Sequence, residues 1–214
     1  MVIAIDGPAG AGKSTVARAV ARALGFTYLD TGAMYRCVGF LALAHPNQPP
    51  AELALGARIE LGERVLLDGR DVTEEIRASA VSEQASHVAC DQAVRDVLVA
   101  AQRRLVAAGD WVAEGRDIAA AVAPDAELKV FLTADPDERA RRRAAESGGD
   151  RSEIGQRQVA EELRARDERD STHGRSTLRP APGAVTIDTT GLTVAQVVER
   201  VVGILGRDSG ASMQ

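Results

Sequence analysis

The sequence predicts an α/β chain in which helices cover both faces of a parallel sheet of about five strands, a doubly wound fold of three layers. Three observations predict it. Short apolar runs alternate with amphipathic helical patterns along most of the 214 residues. The first run passes into a helix through Gly7-Pro-Ala-Gly-Ala-Gly-Lys-Ser14, which fits the phosphate-binding pattern G-x-x-x-x-G-K-[ST] at every fixed position. Residues 58–72 break the alternation and read as a small antiparallel sheet inserted into the chain.

The first element is Met1 to Ile5, an apolar, β-branched run ending at Asp6. From Ser14 the apolar residues Val16, Val20 and Leu24 recur at helical spacing until Gly25 stops them. Strand, loop and helix in this order put glycines where a loop must wrap closely around an oxyanion. Backbone N–H groups and the positive end of the helix would then hold phosphate, Lys13 would reach the β and γ oxygens, and the Ser14 hydroxyl a Mg²⁺ ion. Gly7, Pro8, Ala9, Gly10, Ala11, Gly12, Lys13, Ser14 and Thr15 are therefore the expected ATP site, with Ser14 the metal-binding residue. A glycine-rich connection with no ligand is the alternative reading of the same residues.

Thr27 to Asp30 is a second short strand, breaking at Gly32 into a helix that runs to about Ala44; His45-Pro-Asn-Gln-Pro-Pro50 ends it. Ile59, Leu61, Val65 and Leu67 then alternate with polar residues, with tight turns expected at Gly62-Glu63 and Asp68-Gly69. Thr73 to Cys90 is helical but broken. Asp91 to Ala108 is a longer helix with Val94, Val97, Leu98, Ala101 and Leu105 on one face, ended by Gly109. Trp111 to Glu114 is the third core strand and stops at Gly115-Arg-Asp117; Leu128 to Thr133 is the fourth, apolar throughout as a strand covered on both faces requires. Asp135, Pro136 and Glu138 open a helix carrying Arg139, Arg141, Arg142 and Arg143, which dissolves at residues 147–150. A polar helix resumes near Glu153 and carries Arg164, Arg166, Asp167, Arg169 and Asp170. Val185 to Asp188 is the last strand, Thr193 caps the last helix, and Gly206 onward reads as a loose tail.

A formal charge of −5 with 45% apolar and 27% charged residues describes an ordinary globular chain and argues against a protein that binds nucleic-acid backbone. No apolar run has transmembrane length, and with the first strand beginning at residue 2 no leader peptide is expected. Cys37 and Cys90 lack metal-ligand spacing and read as incidental thiols in a reducing cytoplasm. The expected partners are small molecules, and the expected state is a monomer.

A phosphate loop says only that a nucleoside triphosphate binds. A GTPase would need an Asn-Lys-x-Asp motif, which is absent, and Asp188-Thr-Thr-Gly191 comes too late to be a switch. A motor or helicase ATPase would need a longer apolar run ending in Asp than Trp111 to Glu114 supplies. The arginine clusters around the glycines at 148 and 149 read instead as a mobile lid, which phosphoryl transfer to a small acceptor uses to exclude water.

Five segments together resemble the bacterial cytidylate kinases, the CMP/dCMP kinases of the nucleoside monophosphate kinase family of P-loop proteins. They are Ile5 to Ser14, Leu29-Asp-Thr-Gly-Ala-Met-Tyr-Arg36, Glu114-Gly-Arg-Asp117, Pro124-Asp-Ala-Glu-Leu-Lys-Val-Phe-Leu132 and Arg166-Asp-Glu-Arg-Asp-Ser171. The resemblance spans nearly the whole chain. It implies Mg²⁺-dependent transfer of the γ-phosphoryl of ATP to CMP or dCMP, in a P-loop core of residues 1–36 and 91–214, with a lid at about 143–158 and a monophosphate-binding lobe of residues 37–90. Carried over by motif, it places Thr31, Tyr35, Arg36, Ser86, Arg95, Arg116, Asp117, Arg166 and Asp170 around CMP, and casts Lys13, Arg116 and Arg166 as catalytic cations; Arg175, outside the motif, is a further candidate for that set. Forked arginine donors at Arg36 and Arg116 suit a dianionic phosphate, and an acidic acceptor beside an arginine donor suits the cytosine edge. Arg139 and Arg143 are candidate phosphate clamps, and Glu114 is a candidate for the Mg²⁺ shell. Read without the family, Arg166 and Asp170 are also an ordinary i,i+4 helix pair, Asp117 a helix cap and Ser86 a surface hydroxyl.

Two positions depart from the family pattern. Ala119-Ala120 stand where Gly-Thr is usual, which bears on backbone or hydroxyl contacts at that turn. His173 stands where an arginine is usual, and the nearest arginine is Arg175, after Gly174. If Arg175 supplies the missing lid charge, Arg175→Ala should lower kcat strongly with little change in Tm, and His173→Arg in that background should restore part of it. A wild-type kcat in Arg175→Ala would retire the idea.

Overall fold

The computed structural model describes residues 1–146, 153–172 and 178–211. In chain order, β1 (Val2–Asp6) leads into α1 (Lys13–Leu24), then β2 (Thr27–Asp30), α2 (Thr31–Ala44) and α3 (Pro50–Gly56). The inserted hairpins are β3 (Ile59–Leu61), β4 (Val65–Leu67) and β5 (Arg70–Asp71), followed by a 3₁₀ turn at Glu75–Arg77, α4 (Ser79–Val88) and α5 (Gln92–Val106). The core resumes with β6 (Trp111–Glu114), a π-helical turn (Ile118–Val122), β7 (Leu128–Thr133), α6 (Pro136–Glu146), α7 (Glu153–Thr172), β8 (Val185–Asp188) and α8 (Val194–Ala211).

The five core strands lie side by side in the order β2-β6-β1-β7-β8, and every neighbouring pair is parallel. Because successive side chains point to opposite faces, the strands sort the core into layers. Ile3 and Ile5 of β1 pack with Val16 and Val20 of α1 and with Val197 and Val201 of α8; Ala4 faces the other way, toward Leu29, Ala113 and Ile118. β1 therefore lies in the middle of the sheet, and its carboxyl end opens at the switch between β6 and β7, where open parallel sheets place their ligands.

The small sheet has the order β3-β4-β5 and is antiparallel, as expected. Asp68 and Gly69 both have positive φ, 52° and 82°, the two-residue hairpin turn whose twist matches its strands. α2 packs on two sides: Met34 and Val38 toward α3 and α5, and Ala33 and Cys37 toward β4 and the 3₁₀ turn.

Three local readings need correction. α3 was not anticipated after the loop at 45–49; it is only seven residues long, too short to show periodicity, and its cue is Pro50 at the first helical position. α2 starts at Thr31 rather than after a break at Gly32, because the Asp30 side chain accepts from the N–H of Ala33 and caps it. α8 continues to Ala211 instead of loosening at Gly206. Val197, Val201, Ile204 and Leu205 hold it on the sheet, and that packing outweighs the roughly 1 kcal/mol a helical glycine costs. The glycine-rich break at 147–150 and residues 173–177, including His173 and Arg175, lie outside the described residues.

α2 and α4 meet at Gly39, where a Cβ would stand 2.8 Å from the backbone nitrogen of Ala85. Gly39→Ala must therefore push α4 away from α2. We expect a loss of about 1–3 kcal/mol, measured by chemical denaturation, as for other overpacked contacts.

Candidate active site

The loop between β1 and α1 is shaped by close contact. A Cβ at Gly7 would fall 2.1 Å from the Leu132 carbonyl oxygen, and one at Gly10 would fall 2.7 Å from that of Arg139. The loop is thus clamped between β7 and α6. It ends at Gly12, the N-cap of α1, which offers no side-chain cap, and the first turn of α1 contains no acidic residue. By contrast, α2 and α5 are capped by Asp30 and Asp91. The first N–H groups of α1 and its positive dipole end are left for an anion. Lys13 is half-buried beside them and donates to the Pro8 carbonyl at 2.8 Å. Burial and the neighbouring Arg116 guanidinium lower its pKa to about 7.

Two buried carboxylates organise the strand ends. Asp6 accepts from the N–H groups of Ile118 (2.8 Å) and Ala119 (2.9 Å), tying β1 to the π-helical turn after β6. Burial raises its pKa to about 6, against the pull of those two donors. Glu114 accepts from the Tyr28 hydroxyl at 2.7 Å and from the Ser14 hydroxyl, and burial beside Asp30 raises its pKa. The Thr31 hydroxyl donates to the Glu114 carbonyl at 2.7 Å, so this group is fixed to the strand rather than free to turn. Gly115 is required there, because its Cβ would lie 2.6 Å from Thr31 Oγ1.

The cations converge from three directions. Arg36 of α2 pairs with Asp30 at 2.9 Å, and Arg116 donates to the Gly7 carbonyl at 2.8 Å and pairs with Asp170 at 3.0 Å. Arg166 is held down to about 9 by burial and by Arg116. On the wall beneath α4, Arg95 and Asp117 form a buried ion pair, Ser86 is 2% exposed, and Gln102 joins them. Arg143 lines the same cleft. Arg139 turns elsewhere, to the Ala9 carbonyl and to Asp167, and so braces α7 against the phosphate loop.

Phosphate loop, arginines and a buried acid–arginine pair thus face one another across a single cleft, and the comparisons agree with that geometry. The family model described as cytidylate kinase matches residues 3–207. A cytidylate kinase of Carboxydothermus hydrogenoformans is 46% identical over 97% of this chain and 98% of its own length, and one of Caldanaerobacter subterraneus subsp. tengcongensis is 48% identical over 93% and 92%. The chain belongs to the cytidylate kinase family. Among solved structures, a gluconokinase from Sinorhizobium meliloti covers 96% of this chain and 91% of its own at a TM-score of 0.52 and 16% identity. A shikimate kinase from Acinetobacter baumannii covers 97% and 93% at 0.51 and 14%. These two share the fold.

As a cytidylate kinase, the chain brings most of the expected residues to one place. The cleft, about 170 Å³, is lined by Ala9, Gly10, Gly12, Lys13, Ser14 and Thr15 of the loop and by Thr31, Tyr35, Arg36, Ser86, Arg95, Arg116, Asp117, Arg166 and Asp170. Gly7, Pro8 and Ala11 frame the loop instead of lining the cleft. Asp170 pairs across the cleft with Arg116 as well as sensing Arg166 four residues before it on α7. Ala119 still makes a backbone contact, the one to Asp6. Asp6, Asp30 and Gln102 were missed as site residues. Asp30 stood beside Thr31 in a motif, and Gln102 interrupts the apolar face of α5, but the partners of Asp6 are more than a hundred residues away. Among the described residues no helix is long and apolar enough to cross a membrane, and no cluster of three His, Cys, Asp or Glu could cage a metal.

Asp6→Asn should lower Tm, because an amide cannot accept from both N–H groups; one buried donor left unpaired costs about 1–3 kcal/mol. The raised pKa of Asp6 means that the folded state binds the extra proton between pH 3.8 and about 6, so its contribution falls as pH rises through that window. Chemical denaturation from pH 4 to 6 should accordingly show a more positive slope of stability with pH in the variant. An identical slope would assign the wild-type titration to another group.

Proposed function

We propose that this cleft transfers the γ-phosphoryl group of ATP to CMP or dCMP, giving ADP and CDP or dCDP. The observation that carries the reading is the buried Arg95–Asp117 pair on the wall of a cleft whose floor is the phosphate loop. Asp117 offers a carboxylate oxygen to the N4 amine of cytosine, and Arg95 offers a donor to its acceptor edge. Ser86, beside them, offers a hydroxyl, and Tyr35 closes the site from α2. Asp170 is suited to accept from ribose hydroxyls.

The acceptor needs no general base, because its attacking atom is already an anionic phosphate oxygen. That oxygen forms a bond to the γ-phosphorus while the bond to the β,γ-bridging oxygen breaks, and ADP leaves with the electron pair. Arg36 and Arg116 orient the CMP phosphate, Lys13 and the free N–H groups of α1 hold the ATP phosphates, and Arg166 neutralises charge between the two. Lys13, with a pKa near 7 in the empty cleft, is driven to its charged form once phosphate oxygens surround it. Arg175 is the candidate for the charge that His173 does not carry.

Ser14 and Glu114 provide adjacent oxygen ligands of the kind Mg²⁺ takes alongside substrate phosphates, directly at Ser14 and through water at Glu114. When bound, the ion would supply positive charge that offsets the charge developing on the transferring phosphoryl group. Residues 37–90 act as the lobe that presents CMP, and residues 143–158 act as a lid that excludes water. All of the expected CMP-binding residues line the cleft of this one chain, in keeping with action as a monomer.

Steady-state phosphorylation of CMP, dCMP, UMP, AMP and shikimate tests the reading, with CMP and dCMP expected to be preferred. No turnover with CMP would sink it. Asp117→Asn should narrow the CMP/UMP ratio of kcat/KM by about tenfold or more, since the amide can also donate to uracil O4. Loss of stability from breaking the buried pair scales both substrates together and leaves this ratio unmoved, so an unchanged ratio would remove Asp117 from base reading.

A further inference from the structure

The wall that carries Arg95 and Asp117 holds a third polar side chain that the motifs do not account for. Gln102 follows Arg95 by seven residues, two turns of α5, and shares its buried face with Val94 and Leu98. It is 1% exposed, yet it lines the cleft. Its Nε2 has no hydrogen-bond acceptor among the described residues. An unpaired buried amide costs stability, and an apolar side chain of similar shape on this core-facing stripe would avoid that cost. A group held at such a cost on a cleft wall is explained if its partner arrives with the ligand.

We propose that Gln102 is a base-reading residue whose side-chain amide donates a hydrogen bond to an acceptor on the pyrimidine edge of the bound nucleotide. The inference rests on the cytidylate reading of the cleft. Cytosine presents one donor, the N4 amine, and two acceptors, N3 and O2. Asp117 can satisfy only the donor. Arg95 already spends a guanidinium nitrogen on Asp117, so a second, independent donor lets both base acceptors be matched at once. An uncharged amide suits that place, because it adds a donor without disturbing the balance of charge in the buried pair.

The test is calorimetric titration of CMP into the full chain as wild type, Gln102→Met, Gln102→Glu and Asp117→Asn, with Tm measured on each empty protein. Methionine keeps the length and the helix preference of the side chain but cannot donate. Gln102→Met should raise the CMP Kd about tenfold, the scale of one lost hydrogen bond, while Tm stays level or rises because a buried unpaired donor is gone. Gln102→Glu places an acceptor against the base acceptors and should weaken CMP further. An unchanged CMP Kd in Gln102→Met overturns the proposal, whatever happens to Tm. If Tm and affinity fall together in that variant, wild-type affinity in Gln102→Glu overturns it and weakened affinity upholds it. Failure of the underlying reading looks different: the wild type does not bind CMP, or Asp117→Asn binds it as tightly as wild type does.

Discussion

The rest of the structure depends on an unbalanced concentration of positive charge at the carboxyl end of β1. An uncapped helix end, Lys13, Arg36, Arg116 and Arg166 crowd into one cleft, and burial first, then the neighbouring Arg116, lowers the pKa of Lys13 to about 7 and that of Arg166 to about 9. Burial adds to the cost by removing the water that would solvate them. Such an arrangement is unfavourable in the empty protein and favourable only when several phosphate groups enter.

Carboxylates keep the empty site folded in the meantime. Asp30 holds Arg36 and Asp170 holds Arg116, each through a pair that fixes the guanidinium at the cleft wall, while Asp167 holds Arg139 behind the phosphate loop. A phosphate dianion offers an arginine a stronger, forked partner than a single carboxylate oxygen does, so binding swaps one set of hydrogen bonds for another with little movement of the side chains. The four arginines of α6 illustrate the division of labour. Arg141 stays at the surface with Glu138, Arg142 anchors Thr189, Arg139 braces the phosphate loop, and only Arg143 lines the cleft.

How much of this was legible in the sequence follows from the range of each interaction. The phosphate loop, the strands and the Asp68-Gly69 turn are written in residues within a few positions of one another, and all were readable. Motif resemblance carried Arg36, Arg95, Asp117 and Arg166 into one cleft correctly, although neither spacing nor charge could have paired Arg95 with Asp117. Asp6 was unreadable because its role is to receive two backbone N–H groups from a turn more than a hundred residues along the chain, and backbone donors leave no side-chain signature. Gln102 left a faint one, a polar residue within an apolar helical stripe, which looks the same as a satisfied core amide until its partners are sought. α3 failed for a different reason: seven residues complete barely two turns, too few for a period to declare itself.

Residues 114–117 show how a single strand end can serve three chemical tasks. Glu114 points toward Ser14 and the ATP side, Arg116 toward the phosphate loop and Asp170, and Asp117 toward Arg95 and the base wall. Gly115 permits the close approach of Thr31 between them, and Asp6 fixes the turn that follows. Three side chains that line the cleft are thus placed by one short piece of backbone with two tethers. A shift of that backbone would displace Glu114, Arg116 and Asp117 together, so their positions relative to one another are set by the end of one strand and by the turn that Asp6 ties to it.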